Sequence, residues 1–180
     1  MMTFALITEG VSEYTVIHHL IWRYFRDDIP VINQIQPIDT DQSQQFPFNV
    51  SHSESGIEKT SDRLLADIVE RLERNMPENI DKTRIIFAIC IHTVECWLLP
   101  LVHSDNRKKK TKGCLAALNS ELRRKNMLTV SETGDKNNIA SQRAYREILK
   151  PLKKKSDIKK ASEYNAGFQK FIGNLELLKI

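Results

Sequence analysis

Short apolar runs and helical stripes alternate through the first hundred residues. Phe4-Ala5-Leu6-Ile7 is apolar at consecutive positions and ends at Thr8-Glu9-Gly10, which reads as a buried strand followed by a turn. Ser12 is placed to cap a helix, with Tyr14, Ile17, Ile21, Tyr24 and Phe25 on one face. Asp27-Asp28-Ile29-Pro30 stops it, because the residue before proline avoids helical angles. Val31 to Ile38 is a second strand, weakened by Pro37, and runs into Asp39-Thr40-Asp41. Residues 42–56 are rich in Gln, Ser, His and Pro and read as a long loop. Ser55-Gly56-Ile57-Glu58 has the spacing of a capping box, and the helix after it carries Leu64, Leu65, Ile68, Val69 and Leu72 as its stripe until Met76-Pro77-Glu78-Asn79.

Arg84 to Ile91 is the strongest strand signal. It is apolar without alternation, as in a central strand covered on both faces. Thr93 is placed to cap a short helix, Val94 to Leu99, closed by Pro100. The remainder reads as helix: Cys114 to Lys125, Ile139 to Lys153 interrupted at Pro151, and Ser162 to Leu178 with Phe168, Phe171, Ile172, Leu175 and Leu178 on one face. This order predicts a right-handed α/β layer structure. Its expected form is a small parallel-sheet, three-layer core over residues 1–104. A basic helical extension, 105–180, packs on that core to make one compact unit.

Charge sharpens the division. Residues 1–100 hold 8 Lys and Arg against 15 Asp and Glu, a net of −7, while residues 101–180 hold 19 against 8, a net of +11. An acidic half suits cation binding and a basic half suits a polyanion; the plainer alternative is a set of solvated helix faces. No apolar run approaches the ~20 residues of a membrane helix, and the start lacks a basic n-region, so the expected location is cytoplasmic with no membrane partner. Three cysteines, Cys90, Cys96 and Cys114, are too few and too odd in number for a disulfide framework and fit a reducing compartment. Together with His92 and His103 they match no common zinc spacing. No G-x-x-x-x-G-K-[ST] phosphate loop is present.

In parallel α/β sheets, sites form beyond the carboxyl ends of strands. Glu9, Asp39, Asp41 and Glu95 each follow a predicted strand. Such carboxylates suit Mg2+ or Mn2+, which take a few hard oxygens and leave room for phosphate. The segment Leu6-Ile7-Thr8-Glu9-Gly10-Val11-Ser12-Glu13 resembles the EG-x-[ST]-E opening of Toprim-type domains, found in topoisomerases, primases, OLD-type nucleases and bacterial antiphage effectors. Thr93-Val94-Glu95-Cys96-Trp97-Leu98-Leu99 resembles the E-x-W-L segment of small bacterial Toprim-like proteins of the DUF4276 type. Tyr145-Arg146-Glu147-Ile148-Leu149 and the stretch from Ser162 through Phe168, Phe171 and Leu175 are similar to the ending of that group.

The resemblance implies a Toprim-like core and a Mg2+-dependent nuclease acting on DNA or RNA. Catalytic roles would fall to Glu9, Glu13 and Glu95, and metal to Glu9, Asp39 and Asp41. Arg107, Lys108, Lys109, Lys110, Lys112, Lys153, Lys154 and Lys155 would hold the nucleic-acid backbone. It also implies prokaryotic defence beside an ABC-type ATPase partner, with homo-oligomerisation left open. One departure matters: Toprim domains carry Asp-x-Asp after a strongly apolar strand that follows two strand–helix units, and here the pair at 39–41 comes early. The alternative is therefore a Toprim-like binding or regulatory module with an incomplete catalytic set. Each acid also has a plainer reading. Glu9, Glu13 and Glu95 are residues favoured at helix starts, and Asp39 and Asp41 are turn formers.

Overall fold

The computed structural model describes residues 3–7, 11–28, 30–36, 50–76, 78–79, 81–91, 93–133 and 138–178. Among them are seven α-helices and two small two-stranded sheets. The fold is thus α/β but mostly helical, and the parallel-sheet core expected from the strand pattern is reduced to one pair. Strand β1 (Thr3–Ile7) lies parallel to β2 (Val31–Gln36), in register from Thr3 opposite Val31 to Ile7 opposite Gln36, with an irregularity at Leu6/Ile7. Helix α1 (Val11–Tyr24) makes the crossover and packs back on both strands, and the Phe4 and Phe25 rings sit 5.5 Å apart. Ser12 lies inside the first turn of α1 rather than capping it.

The third predicted strand is where expectation and structure part. Residues 85–90 follow a 3-10 turn, Lys82–Arg84, and run half-buried without forming a ladder to either described sheet. Their side chains still split between two cores. Ile86, Ala88 and Cys90 pack on the main cluster, and Ile89 and Ile91 pack with Leu64 and Leu65. Both faces are therefore covered, as the apolar run predicts, but by helices that hold the segment through burial. Gly167 shows how closely: a Cβ there would stand 2.4 Å from the Ile89 carbonyl oxygen.

Local chemistry moves other boundaries. Ser55 and Gly56 do not begin a capping box. Both have positive φ, 51° and 80°, and turn a hairpin between β3 (Ser53–Glu54) and β4 (Ile57–Glu58), as a primed two-residue turn requires. The cap of α2 (Ser61–Arg74) is Thr60, whose hydroxyl accepts the Arg63 N–H at 3.3 Å. Helix α3 (Glu95–Val102) has no side-chain cap from Thr93 and continues through Pro100, ending at His103. The C-terminal stretches become α4 (Cys114–Arg124), α5 (Ile139–Leu149), α6 (Lys155–Ser162) and α7 (Ala166–Leu177). The predicted last helix is thus split. Ser162 ends α6, and Asn165 starts α7 by accepting the Phe168 N–H at 3.1 Å.

Helix α3 is the hub. Trp97 is buried and stacks on Phe168 at 4.8 Å and on Phe171 at 5.7 Å, and α3 packs on α4, α5 and α6. One continuous cluster joins Val16 of α1 to Leu175 of α7. Contrary to the cysteine count, Cys96 and Cys114 are disulfide-bonded with Cα atoms 5.1 Å apart, because α3 and α4 bring their first turns together; Cys90 is free. No helix among the described residues is long and apolar enough to cross a membrane.

Candidate functional site

The first turns of α1 and α3 meet around Tyr145 of α5. Glu95 opens α3 and is fully buried. The Tyr145 hydroxyl donates to its Oε1 at 2.5 Å across 50 residues of sequence. Glu13 stands in the first turn of α1, just beyond the end of β1, and its Oε2 accepts the Ser12 hydroxyl at 2.9 Å. Both carboxylates sit where a helix N-terminus stabilises negative charge.

Electrostatics ties these groups into one cluster. Burial first, then the charges of Glu95 and Glu13, push the Tyr145 phenol far above its ordinary range, with the Ser12 hydroxyl opposing the shift by hydrogen bonding. The phenol therefore stays protonated and acts as a donor. Burial, again reinforced by Glu13 and Glu95, pushes the Cys90 thiol well up, which keeps it from acting as a thiolate nucleophile. Two acids from distant parts of the chain thus act on one buried hydroxyl and one half-buried thiol. Of this set, sequence reasoning selected Glu13 and Glu95 and missed Ser12, Cys90 and Tyr145 as site members. Tyr145 had a readable signal: it lies on the buried stripe of α5 with Ala144, Ile148 and Leu149, and a buried phenol needs a partner.

Glu9, Asp39 and Asp41 lie outside the described residues. Among the described residues, no three His, Cys, Asp or Glu side chains group as metal ligands. A divalent ion held here would need one or more of those three acids beside Glu13. Carboxylate oxygens are the donors that Mg2+ or Mn2+ takes, and of the described residues at the start of α1, Glu13 carries one such group.

The basic residues divide into two places. The loop from Arg107 to Lys112 touches the start of α3, where the Thr111 carbonyl oxygen is 3.3 Å from Cys96 Sγ. Several of its cations are engaged locally. Arg107 forks onto Asp105 with contacts of 2.7 to 3.0 Å, Lys108 sits 4.0 Å above the Tyr164 ring, and Lys112 pairs with Glu58; Lys109 and Lys110 are exposed. A cavity of about 310 Å³ opens here between Thr93, Gly113, Cys114, Leu115, Ala116 and Glu132. The second run goes elsewhere. Lys155 Nζ lies 4.2 Å above the Tyr24 ring, at the far end of α1 from Glu13, which is ~16 Å away along a 1.5 Å rise per residue. Lys153 and Lys154 are exposed at the same end, and Asp157 accepts their backbone N–H groups at 3.1 Å.

No protein-family model matches the chain, and no curated protein or solved structure matches it.

Proposed function

We propose that this chain is a Mg2+- or Mn2+-dependent nuclease of the Toprim type that hydrolyses phosphodiester bonds in DNA or RNA, as an effector of prokaryotic defence working with an ABC-type ATPase partner. The observation that carries the reading is the meeting of Glu13 and Glu95, each in the first turn of its helix, around Tyr145. The exposed cations Lys109 and Lys110, in the loop that touches the start of α3 through Thr111, support a phosphate-bearing substrate. Glu9 and Glu13, with Asp39 and Asp41, would hold the metal, which when bound polarises a phosphodiester and lowers the pKa of bound water. Glu95 is too buried to meet solvent and serves from beneath, fixing Tyr145 and the start of α3. Cys90, kept protonated, takes no part in the chemistry.

The test is cleavage of single- and double-stranded DNA and RNA by the full chain in Mg2+, Mn2+ or EDTA. Cleavage that needs metal and disappears in Glu9→Ala and Glu13→Gln, with the circular dichroism spectrum retained, is the expected result. Millimolar metal should also raise the unfolding midpoint of the wild type and not of Glu9→Ala. Cleavage that survives EDTA, or no cleavage of any substrate with either metal, overturns it. The second reading, a Toprim-like binding or regulatory module, is favoured by the complete burial of Glu95. It expects salt-sensitive binding of nucleic acid or of the ATPase partner with no response to metal.

A further inference from the structure

The displaced basic run brings an unexpected companion. Trp22 is 40% exposed on α1, and among the described residues it is the one large exposed apolar side chain of that helix. The Arg23 guanidinium carbon lies 4.7 Å from its ring centroid, while Arg23 Nε is buried without a hydrogen-bond partner. Arg26 is exposed in the turn after α1, and Lys153, Lys154 and Lys155 cross the same end, Lys155 above Tyr24. With Lys159, the rim thus sets six cations against four acids, Asp27, Asp28, Asp157 and Glu176; Asp157 is occupied as a cap for the Lys153 and Lys154 amides, and Glu176 by Lys159.

We infer that this rim binds single-stranded nucleic acid, with Trp22 stacking on a base and Arg23, Arg26, Lys153 and Lys154 contacting the flanking phosphates. A strand needs one aromatic face per base with cations alongside, which is what the end of α1 offers. An anionic membrane would need a broader apolar face than one ring, and the residues around Trp22 are charged. The inference rests on the nucleic-acid reading of Lys153–Lys155 and not on cleavage. The surface lies ~16 Å from the acidic cluster, far enough to hold a strand whose other part reaches Glu13.

The experiment is binding of a short fluorescein-labelled oligo(dT) to the full chain in EDTA, followed by anisotropy and by tryptophan fluorescence. The other tryptophan, Trp97, is buried between Phe168 and Phe171, so quenching on binding reports Trp22. The expected result is quenching that disappears in Trp22→Leu, with affinity falling about five- to 160-fold, the range one base–aromatic stack spans. Trp22→Phe should restore much of that affinity. Lys153→Glu with Lys154→Glu should lower the slope of log K against log salt by about 1.4, at ~0.7 for each phosphate no longer neutralised. Equal affinity and quenching in Trp22→Leu, or a blue shift and binding only with phosphatidylglycerol–phosphatidylcholine vesicles, overturns the inference. Binding through Trp22 without nuclease activity would leave it standing while removing the proposed enzyme.

Discussion

Replacing Tyr145 with Phe removes one oxygen and leaves the ring in place. In the native protein that oxygen donates to Glu95 Oε1 at 2.5 Å, and both side chains are fully buried. A hydrogen bond to a charged group contributes about 1.5–3 kcal/mol, and water cannot replace the donor at a site with no exposure. The variant should therefore lose about 2–3 kcal/mol. For a chain of this length each kcal/mol moves the unfolding midpoint by about 2–4 °C, so Tyr145→Phe should unfold about 4–10 °C lower. Glu95→Gln is the informative contrast. It keeps an acceptor for the phenol and removes a buried charge whose desolvation opposes folding, so its midpoint should lie above that of Tyr145→Phe. Differential scanning calorimetry of both variants and of the double variant measures the coupling directly. A Tyr145→Phe midpoint equal to wild type, or a Glu95→Gln midpoint below it, refutes the picture of a phenol held to stabilise a buried carboxylate.

Gly167→Ala should destabilise by about 1–3 kcal/mol or more through forced backbone shifts, since its Cβ would meet the Ile89 carbonyl. Gly173→Ala, in the same helix with nothing within 4 Å, should instead stabilise by about 0.5–1 kcal/mol; urea melts of the two variants check the pair. Reducing the Cys96–Cys114 bond, which closes a loop of 18 residues, should cost about 3 kcal/mol, seen as a lower midpoint in dithiothreitol that Cys114→Ser reproduces without reductant. Glu121 accepts two hydrogen bonds from Arg124, and that contact, with the nearby charges of Lys125 and His103, lowers its pKa from 4.5 to about 2. A carboxylate lowered on folding stabilises above its unfolded value and loses that contribution as pH falls through the folded one. Wild-type midpoints should therefore drop between pH 4.5 and about 2, and Glu121→Gln should flatten that limb; an identical acid profile in the variant argues against the ion-pair account.

Local pattern made much of the helical structure legible. The 3.6-residue stripes of α1, α2 and α7 follow from side-chain spacing alone, and the buried Phe168, Phe171, Ile172 and Leu175 were readable as one face. Errors arose where two local readings competed. Ser55-Gly56 fits both a capping box and a hairpin turn, and the positive φ of both residues decides for the turn. Asn165 is a helix start inside a continuous apolar stripe, so a period-based reading joins α6 to α7. Pro100 reads as a stop, but α3 carries it two residues before its end.

The site was legible in part for the same reason. Glu13 and Glu95 stand out as acids at the starts of helices, a feature of neighbouring residues. Nothing local joins them to Tyr145, which reaches Glu95 only because α3 and α5 pack together. Nor could local pattern separate the two basic runs, which look alike as strings of lysine and arginine. One touches the start of α3 and the other the end of α1.

By itself, the order of residues determined which segments become helices, which faces they bury, and where acidic and basic charge concentrate, because spacing, propensity and charge act over a few neighbours. Tertiary structure alone decided that the apolar run at 85–90 is covered by helices instead of sheet partners, that Cys96 meets Cys114, and that Tyr145 meets Glu95. Those outcomes depend on how helices close over one another, where a missing Cβ at Gly167 or a stacked ring at Trp97 settles which distant groups come within bonding distance.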